Sequence, residues 1–170
     1  RPLEELEVEP FDLGDAARDA IEVMAGRLDA AGVRLALVAT PARLRGDRRA
    51  VRDAILNVLS NAIEASSTGA TIELNVSGTA EGARLELLDQ GRGIASADLA
   101  RIGHSFFTTR PDGTGLGIVL TLSTVAQHGG KVTIGSAPGA GTKVRLDFPA
   151  VPTAPTPGES VLSTSPAPSF

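Results

Sequence analysis

The spacing of apolar residues along the chain predicts three long helices. Apolar positions recur at helical spacing over residues 12–31, and Gly32 ends this pattern. A second helix is expected over residues 47–66, where Asp47 is placed to cap the N-terminus and apolar and polar residues form separate stripes. A third is expected over residues 116–128, which are apolar on two sides and should lie buried between layers.

Alternating apolar and polar residues predict the strands. Five segments show this alternation: residues 33–39, 71–77, 83–89, 131–135 and 142–148. The second and third should form a hairpin, as should the last two. A glycine-rich stretch between the hairpins should contain a short helix near residues 97–102. This order predicts an α/β (α+β) two-layer sandwich, in which helices cover one face of a mixed sheet.

The two ends of the chain differ in composition from the rest. Residues 1–10 are acidic and stop at Pro10, as expected for the end of an upstream helix followed by a linker. Residues 151–170 are rich in Pro, Ser and Thr and are predicted to be a disordered tail. The folded unit should therefore span residues 11–150. Because the chain begins with Arg1 and Pro2 rather than Met, we expect it to be cut from a longer polypeptide.

Composition excludes several classes of function. The chain has 170 residues, which suits one domain, and 42% hydrophobic residues can build its core. A net charge of -4 argues against nucleic acid as a partner. The absence of cysteine excludes disulfides, thiolate metal sites and cysteine nucleophiles, and two histidines are too few for a His-rich metal site. No apolar run approaches the ~18 residues of a membrane span, so no membrane contact is expected.

The second helix carries an unusual polar stripe. Asp53, Asn57, Asn61 and Glu64 share one side of it, and asparagine in a helix interior opposes helix propensity. A solvated polar face would explain the stripe. Alternatively, the two amide oxygens could face a hard cation that prefers oxygen ligands.

Two glycine-containing segments are further candidates for binding. Asp89 ends a strand directly before Gly91, Gly93 and Ile94; it is either a turn residue or a carboxylate that accepts from the amino group of adenine. The segment Gly113-Thr114-Gly115-Leu116-Gly117 opens a helix, where backbone N–H groups favour an anion such as phosphate, although a structural turn would look the same.

The loop before this helix holds two of the five phenylalanines of the chain. The sequence Phe106-Phe107-Thr108-Thr109-Arg110 is either a packing anchor or a mobile lid whose arginine meets phosphate. His104 and His128 are interpreted as structural or incidental rather than catalytic.

Five segments in order resemble the N, G1, F, G2 and G3 boxes of sensor histidine kinases. These segments begin at Asn57, Asp89, Phe106, Gly113 and Gly139. The resemblance covers residues 11–148 and implies the Bergerat ATP-binding fold with a glycine-rich ATP lid. It implies that Asn61 and Asn57 hold Mg²⁺ and are the catalytic residues. The further ATP-binding residues that it implies are Asp89, Gly91, Gly93, Ile94, Thr109, Arg110, Gly113, Thr114, Gly115, Leu116, Gly117 and Thr142.

The resemblance also implies a reaction. Hydrolysing relatives carry a water-activating glutamate where this chain has Asn57, and an amide is no general base, so slow hydrolysis is expected. The γ-phosphoryl group would go to a histidine on a separate, upstream dimerisation domain, and then to an aspartate of a response regulator receiver domain. Neither His104 nor His128 precedes an acidic residue, so we expect no self-phosphorylation. Glu64 replaces a basic residue common in relatives.

Two alternatives remain open at this point. One is a regulatory module of the same fold that binds ATP without catalysis, and the other is a serine kinase of the same fold. The complete asparagine and glycine set favours catalysis. The resemblance implies a cytoplasmic location for this domain, whether or not its parent protein is anchored in a membrane.

Overall fold

The computed structural model describes residues 5–102, 116–155 and 157–169. Its helices are α1 (Leu13–Ala31), α2 (Arg48–Ala65), α3 (Ser96–Leu99) and α4 (Leu116–Gln127). Its strands are β1 (Glu9–Asp12), β2 (Arg34–Ala39), β3 (Arg43–Gly46), β4 (Thr71–Gly78), β5 (Gly82–Asp89), β6 (Lys131–Ser136), β7 (Thr142–Pro149) and β8 (Leu162–Ser165). No helix in these three ranges is long and apolar enough to span a bilayer.

The main sheet has six strands in the order β2-β4-β5-β7-β6-β8. The central pairs β4–β5, β5–β7 and β7–β6 are antiparallel, whereas β2 pairs with β4 and β8 with β6 in parallel. The sheet is therefore mixed, and the predicted α/β sandwich is confirmed. A second, two-stranded sheet of β1 and β3 lies outside it.

Side-chain alternation in the central strands explains the two layers. Ile72, Leu74 and Val76 of β4 are buried, and the residues between them are exposed. The helices α1, α2 and α4 supply the other half of the core, α2 through the apolar stripe that runs from Val51 to Ile63. Burial of these apolar faces on each other is the main stabilising contribution to the fold.

Caps fix where the long helices begin and end. The Asp12 side chain accepts from the Gly14 N–H at the start of α1, and Gly32 ends α1 in a left-handed conformation with φ 66°. The Asp47 side chain accepts from the Ala50 N–H at the start of α2, at 3.1 Å. The predicted bounds of both helices are confirmed to within a residue.

The structure corrects the predicted ends of the chain. Glu9 and Pro10 belong to β1, which pairs with the unpredicted β3, so part of the predicted linker is strand. The tail is not disordered throughout, because β8 pairs with β6 and the Lys131 ammonium lies 3.0 Å from the Glu159 carboxylate. The strands β1 and β8 are short, and each forms its backbone hydrogen bonds with a strand that is distant in the sequence. Composition does not reveal such a partner.

Candidate functional site

Three neighbouring strands of the main sheet carry a polar residue at the same end of the sheet, where two of them finish and one begins. Asp89 is the last residue of β5, Thr142 the first of β7 and Ser136 the last of β6. Thr142 pairs with Asp89 on one side and with Ser136 on the other. Because directly paired residues project to the same face, the three side chains form a row across the sheet. Asp89 and Ser136 are buried, and Thr142 between them is partly exposed.

The Asp89 carboxylate is a buried acceptor. Only 9% of Asp89 is exposed, and its Oδ1 accepts from the Gly91 N–H at 2.9 Å. Burial raises the pKa of this carboxyl, although hydrogen bonds from the Gly91 and Thr142 backbone and the charge of Arg92 oppose the shift. The group holds its loop in place and keeps acceptor capacity for a ligand.

The glycines around Asp89 allow backbone segments to pack closely. A Cβ on Gly91 would lie 2.5 Å from the Ala65 carbonyl oxygen at the end of α2. Gly93 and Gly141 have φ 73° and 79°, and a Cβ on either would overlap a backbone carbonyl, of Ala137 and Asp89 respectively. The loop after β5 is therefore held between the end of α2 and the turn that precedes β7.

Ser136 is a residue of this row that sequence reasoning missed. Its side chain is fully buried, and its Oγ accepts from the Ile94 N–H at 2.9 Å. The Oγ also lies 2.8 Å from the Gly141 carbonyl oxygen and 2.8 Å from the Thr142 hydroxyl. The signal was present: Val132, Ile134 and Ser136 alternate along β6, so the serine takes an inward, apolar position.

The end of α2, the helix that carries the polar stripe, lies against the loop that follows Asp89. Asn57 and Asn61 are half-buried, whereas Asp53 and Glu64 are exposed. The Arg92 guanidinium donates to the Glu64 carbonyl oxygen at 3.4 Å, which joins the end of α2 to the loop that carries Gly91.

The acidic members of the stripe already have cationic partners. The Asp53 carboxylate lies 2.9 Å from the Arg52 guanidinium. The Glu64 carboxylate lies 3.6 Å from the guanidinium of Arg27 on α1. Both acidic members of the stripe therefore have a partner within the fold.

The amide side chains of α2 are compatible with Mg²⁺. The described residues contain no group of three or more His, Asp or Glu side chains that could enclose a metal ion. Mg²⁺ commonly takes only one or two protein oxygens and completes its coordination with water and substrate phosphates. Asn57 and Asn61 offer two amide oxygens of that kind.

Part of the predicted phosphate site lies outside the described residues. Thr109, Arg110, Gly113, Thr114 and Gly115 lie outside the described residues, as do His104 and the Phe pair. Leu116 and Gly117 form the first residues of α4. The helix predicted to follow the anion site is present as α4, and the anion site and the lid stay predictions.

His128 has a structural place in the fold. The side chain is 1% exposed, its Nε2 accepts from the Asp47 N–H at 3.0 Å, and its Nδ1 donates to the Thr124 carbonyl oxygen at 2.8 Å. Burial lowers the pKa of His128, which keeps the ring neutral as these contacts require. The residue links the end of α4 to the start of α2.

Comparison with known proteins identifies the family of the chain. Residues 46–152 match the model of the "Histidine kinase-, DNA gyrase B-, and HSP90-like ATPase" family. The chain is 31% identical to the sensor protein DegM of Bacillus sp. (strain B21-2), over 82% of this chain and 38% of DegM. It is 35% identical to the non-motile and phage-resistance protein of Caulobacter vibrioides, over 85% of this chain and 18% of that protein. The chain thus spans well under half the length of these relatives.

A solved structure gives the same result. The full-length protein ShkA, solved in complex with AMPPNP, superposes with a TM-score of 0.78 and 28% identity, over 88% of this chain and 32% of ShkA. The chain belongs to the histidine kinase-, DNA gyrase B- and HSP90-like ATPase family, as an ATP-binding domain of the sensor histidine kinase type.

Proposed function

We propose that this domain binds Mg-ATP and transfers the γ-phosphoryl group to a histidine on a separate dimerisation domain. The observation that carries the proposal is the buried Asp89 carboxylate, whose loop packs against the end of α2, the helix that carries the half-buried asparagines, in a chain of this family. From that histidine the phosphoryl group would pass to an aspartate of a response regulator receiver domain.

Asp89 would select the base. A carboxylate accepts from the exocyclic amine of adenine, whereas guanine presents an oxygen acceptor at the same position. An unmade buried hydrogen bond costs about 1–3 kcal/mol, so adenine should be favoured by about 10- to 100-fold. Gly91, Gly93 and Ile94 would shape the walls around the base, and Thr142 would lie near it.

Asn57 and Asn61 would hold Mg²⁺ against the triphosphate. The bound ion supplies neutralisation of charge on the phosphate oxygens. Asn57 takes no proton from water, because an amide is no base at neutral pH. The site is therefore expected to retain ATP until an acceptor side chain is presented. Thr109, Arg110, Thr114, Leu116 and the glycines 113, 115 and 117 would enclose the phosphates.

The acceptor histidine would come from another domain. His128 is buried and both ring nitrogens are engaged, so its ring is not available to attack a phosphoryl group. His104 precedes a serine rather than an acidic residue. The parent protein would supply the acceptor upstream of Arg1, in the cytoplasm.

A phosphotransfer experiment tests the proposal. The domain is mixed with γ-labelled ATP, Mg²⁺ and the histidine-bearing domain of its parent protein. We expect label on that domain that is labile in acid and stable in base. Label that survives acid would indicate a hydroxyl acceptor and thus a serine kinase, and ATP binding without any transfer would indicate a regulatory module.

Paired variants locate the metal ligands in the same assay. Asn61→Ala should abolish most Mg²⁺-dependent binding and transfer. Asn75→Ala changes an exposed asparagine of β4, away from the stripe, and should leave both intact. If both variants retain the same Mg²⁺-dependent binding and transfer, Asn61 is not a metal ligand.

A further inference from the structure

The hydrogen bonds of Ser136 fix the direction of a chain of hydroxyl groups. Its Oγ has three neighbours within 2.9 Å: the Ile94 N–H, the Gly141 carbonyl oxygen and the Thr142 hydroxyl. A serine hydroxyl has one hydrogen to donate and two lone pairs to accept. The Ile94 N–H can only donate, and the Gly141 carbonyl can only accept.

These constraints determine which way the Thr142 hydroxyl is oriented. The single hydrogen of Ser136 goes to the Gly141 carbonyl oxygen, and one lone pair receives the Ile94 N–H. The other lone pair is left for Thr142, so Thr142 donates its hydroxyl hydrogen to Ser136. With its hydrogen used in this way, the Thr142 hydroxyl can only accept a further hydrogen bond.

We infer that Ser136 is a positioning residue that makes the base pocket select purines with an amino group over purines with an oxo group at the 6-position. Asp89 and Thr142 are paired neighbours on one face of the sheet, and Thr142 is the partly exposed member of the row. With the Thr142 hydrogen committed to Ser136, both residues present acceptors. The inference rests on the proposed binding of ATP.

The chemistry of the two purines gives the selectivity. An amino group donates to an acceptor, whereas an oxo group is itself an acceptor and would face only lone pairs. Without the Ser136 hydroxyl, Thr142 loses the group that receives its hydrogen. Its hydroxyl can then rotate and donate to an oxo group. The preference for ATP over GTP should fall even where the fold is retained.

Binding of ATP and GTP, each with Mg²⁺, to the whole chain tests this inference by calorimetry. Ser136→Ala should lower the ratio of the two affinities by about tenfold, the effect of one hydrogen bond. Ser77→Ala, on strand β4 of the same sheet, should leave the ratio unchanged. A purely structural role of Ser136 predicts that ATP and GTP weaken by the same factor, and that result would overturn the inference.

A double-mutant cycle identifies Thr142 as the intermediary. In a Thr142→Val background no hydroxyl remains to rotate, so Ser136→Ala should no longer change the ratio. An unchanged effect in that background would also overturn the inference. If Ser136→Ala does not fold, Ser136→Cys replaces it, because a thiol is a weak acceptor and should shift the ratio in the same direction.

The wild-type chain separates the two possible failures. Absence of ATP binding by the folded wild type would refute the proposed function itself. Normal ATP preference in the wild type, with equal loss of both nucleotides in the Ser136 variants, would refute only the role of Ser136.

Discussion

At the scale of single residues, the charge of Asp89 would favour nucleotide binding but disfavours folding. The charge that would bind adenine lies in a site that is 9% exposed, and burial penalises the charged form. The fold itself uses its Oδ1 as the acceptor for the Gly91 N–H. An amide oxygen can accept the same hydrogen bond without the cost of burying a charge.

Asp89→Asn should therefore stabilise the empty domain and weaken nucleotide binding. We expect the free energy of unfolding at pH 7 to rise by about 1 kcal/mol and the ATP affinity to fall by at least about tenfold. Because the folded pKa is raised, the aspartate favours folding below its unfolded pKa, and this contribution is lost as pH rises through the folded pKa. In denaturant titrations, the difference in the free energy of unfolding between Asp89→Asn and the wild type should increase from acidic to neutral pH.

An exposed aspartate provides the control for this variant. Asp53→Asn changes a carboxylate that is largely exposed and paired with Arg52, so stability should change by no more than about 0.5 kcal/mol. If Asp89→Asn proves less stable than wild type at pH 7, the Asp89 charge itself stabilises the loop.

His128 should give the domain a pH-dependent stability of the opposite sign. Its neutral ring accepts from the Asp47 N–H, and burial lowers its pKa. The contribution to stability is present above the unfolded pKa of about 6.5 and is lost as pH falls through the folded pKa. His128→Gln should cost about 2 kcal/mol at pH 8 and less at pH 5. Denaturant curves at both values check this, and a constant difference would contradict it.

Among single residues, sequence reasoning found those with a chemical type that stands out. Asp89 follows a strand and precedes glycines, and Asn57 and Asn61 oppose helix propensity. The residue type of Ser136 does not stand out, because a serine before a turn is ordinary, and only its inward position in the alternation of β6 marks it. Its role depends on its contacts with Ile94 and Thr142. These residues lie 42 and 6 positions away from it in the sequence, and only folding brings them together.

At the scale of elements, the periodicity of apolar residues predicted the long helices but not the shortest strands. The helices α1 and α2 are long and amphipathic and were located to within a residue. The strands β1, β3 and β8 have four residues each and too few apolar positions to show alternation. Their existence depends on a partner strand that the local sequence does not contain.

Deleting the tail strand should expose the edge of the main sheet. The Val132 N–H donates to the Val161 carbonyl oxygen at 2.8 Å, and Leu162 packs on the core. Removal of residues 159–170 should lower the free energy of unfolding by about 1–2 kcal/mol and speed hydrogen exchange at Val132. Removal of residues 166–170 alone, beyond β8, should change neither. Equal exchange rates in both truncations would mean that β8 does not protect β6.

At the scale of the whole molecule, the order of elements predicted the fold, but the assembly of the site needed the sheet order. The row of Asp89, Thr142 and Ser136 exists because β7 lies between β5 and β6. Sequence order alone places Ser136 at a turn and leaves its neighbours unknown. The resemblance to sensor histidine kinases supplied the roles, and the register shows which of the described residues stand together.

Nucleotide binding should couple to the stability of the entire domain. A ligand that binds only the folded state stabilises it by about 2.7 kcal/mol at a concentration one hundred times its Kd. Mg-ATP should therefore raise the Tm by several degrees, and ATP without Mg²⁺ should raise it less. Asn61→Ala should remove the difference between the two conditions, because Asn61 would contribute a metal ligand, whereas Asn75→Ala should preserve it. Thermal scans with ATP, with and without Mg²⁺, measure this, and a metal-independent shift in the wild type would exclude a role for Mg²⁺ in binding.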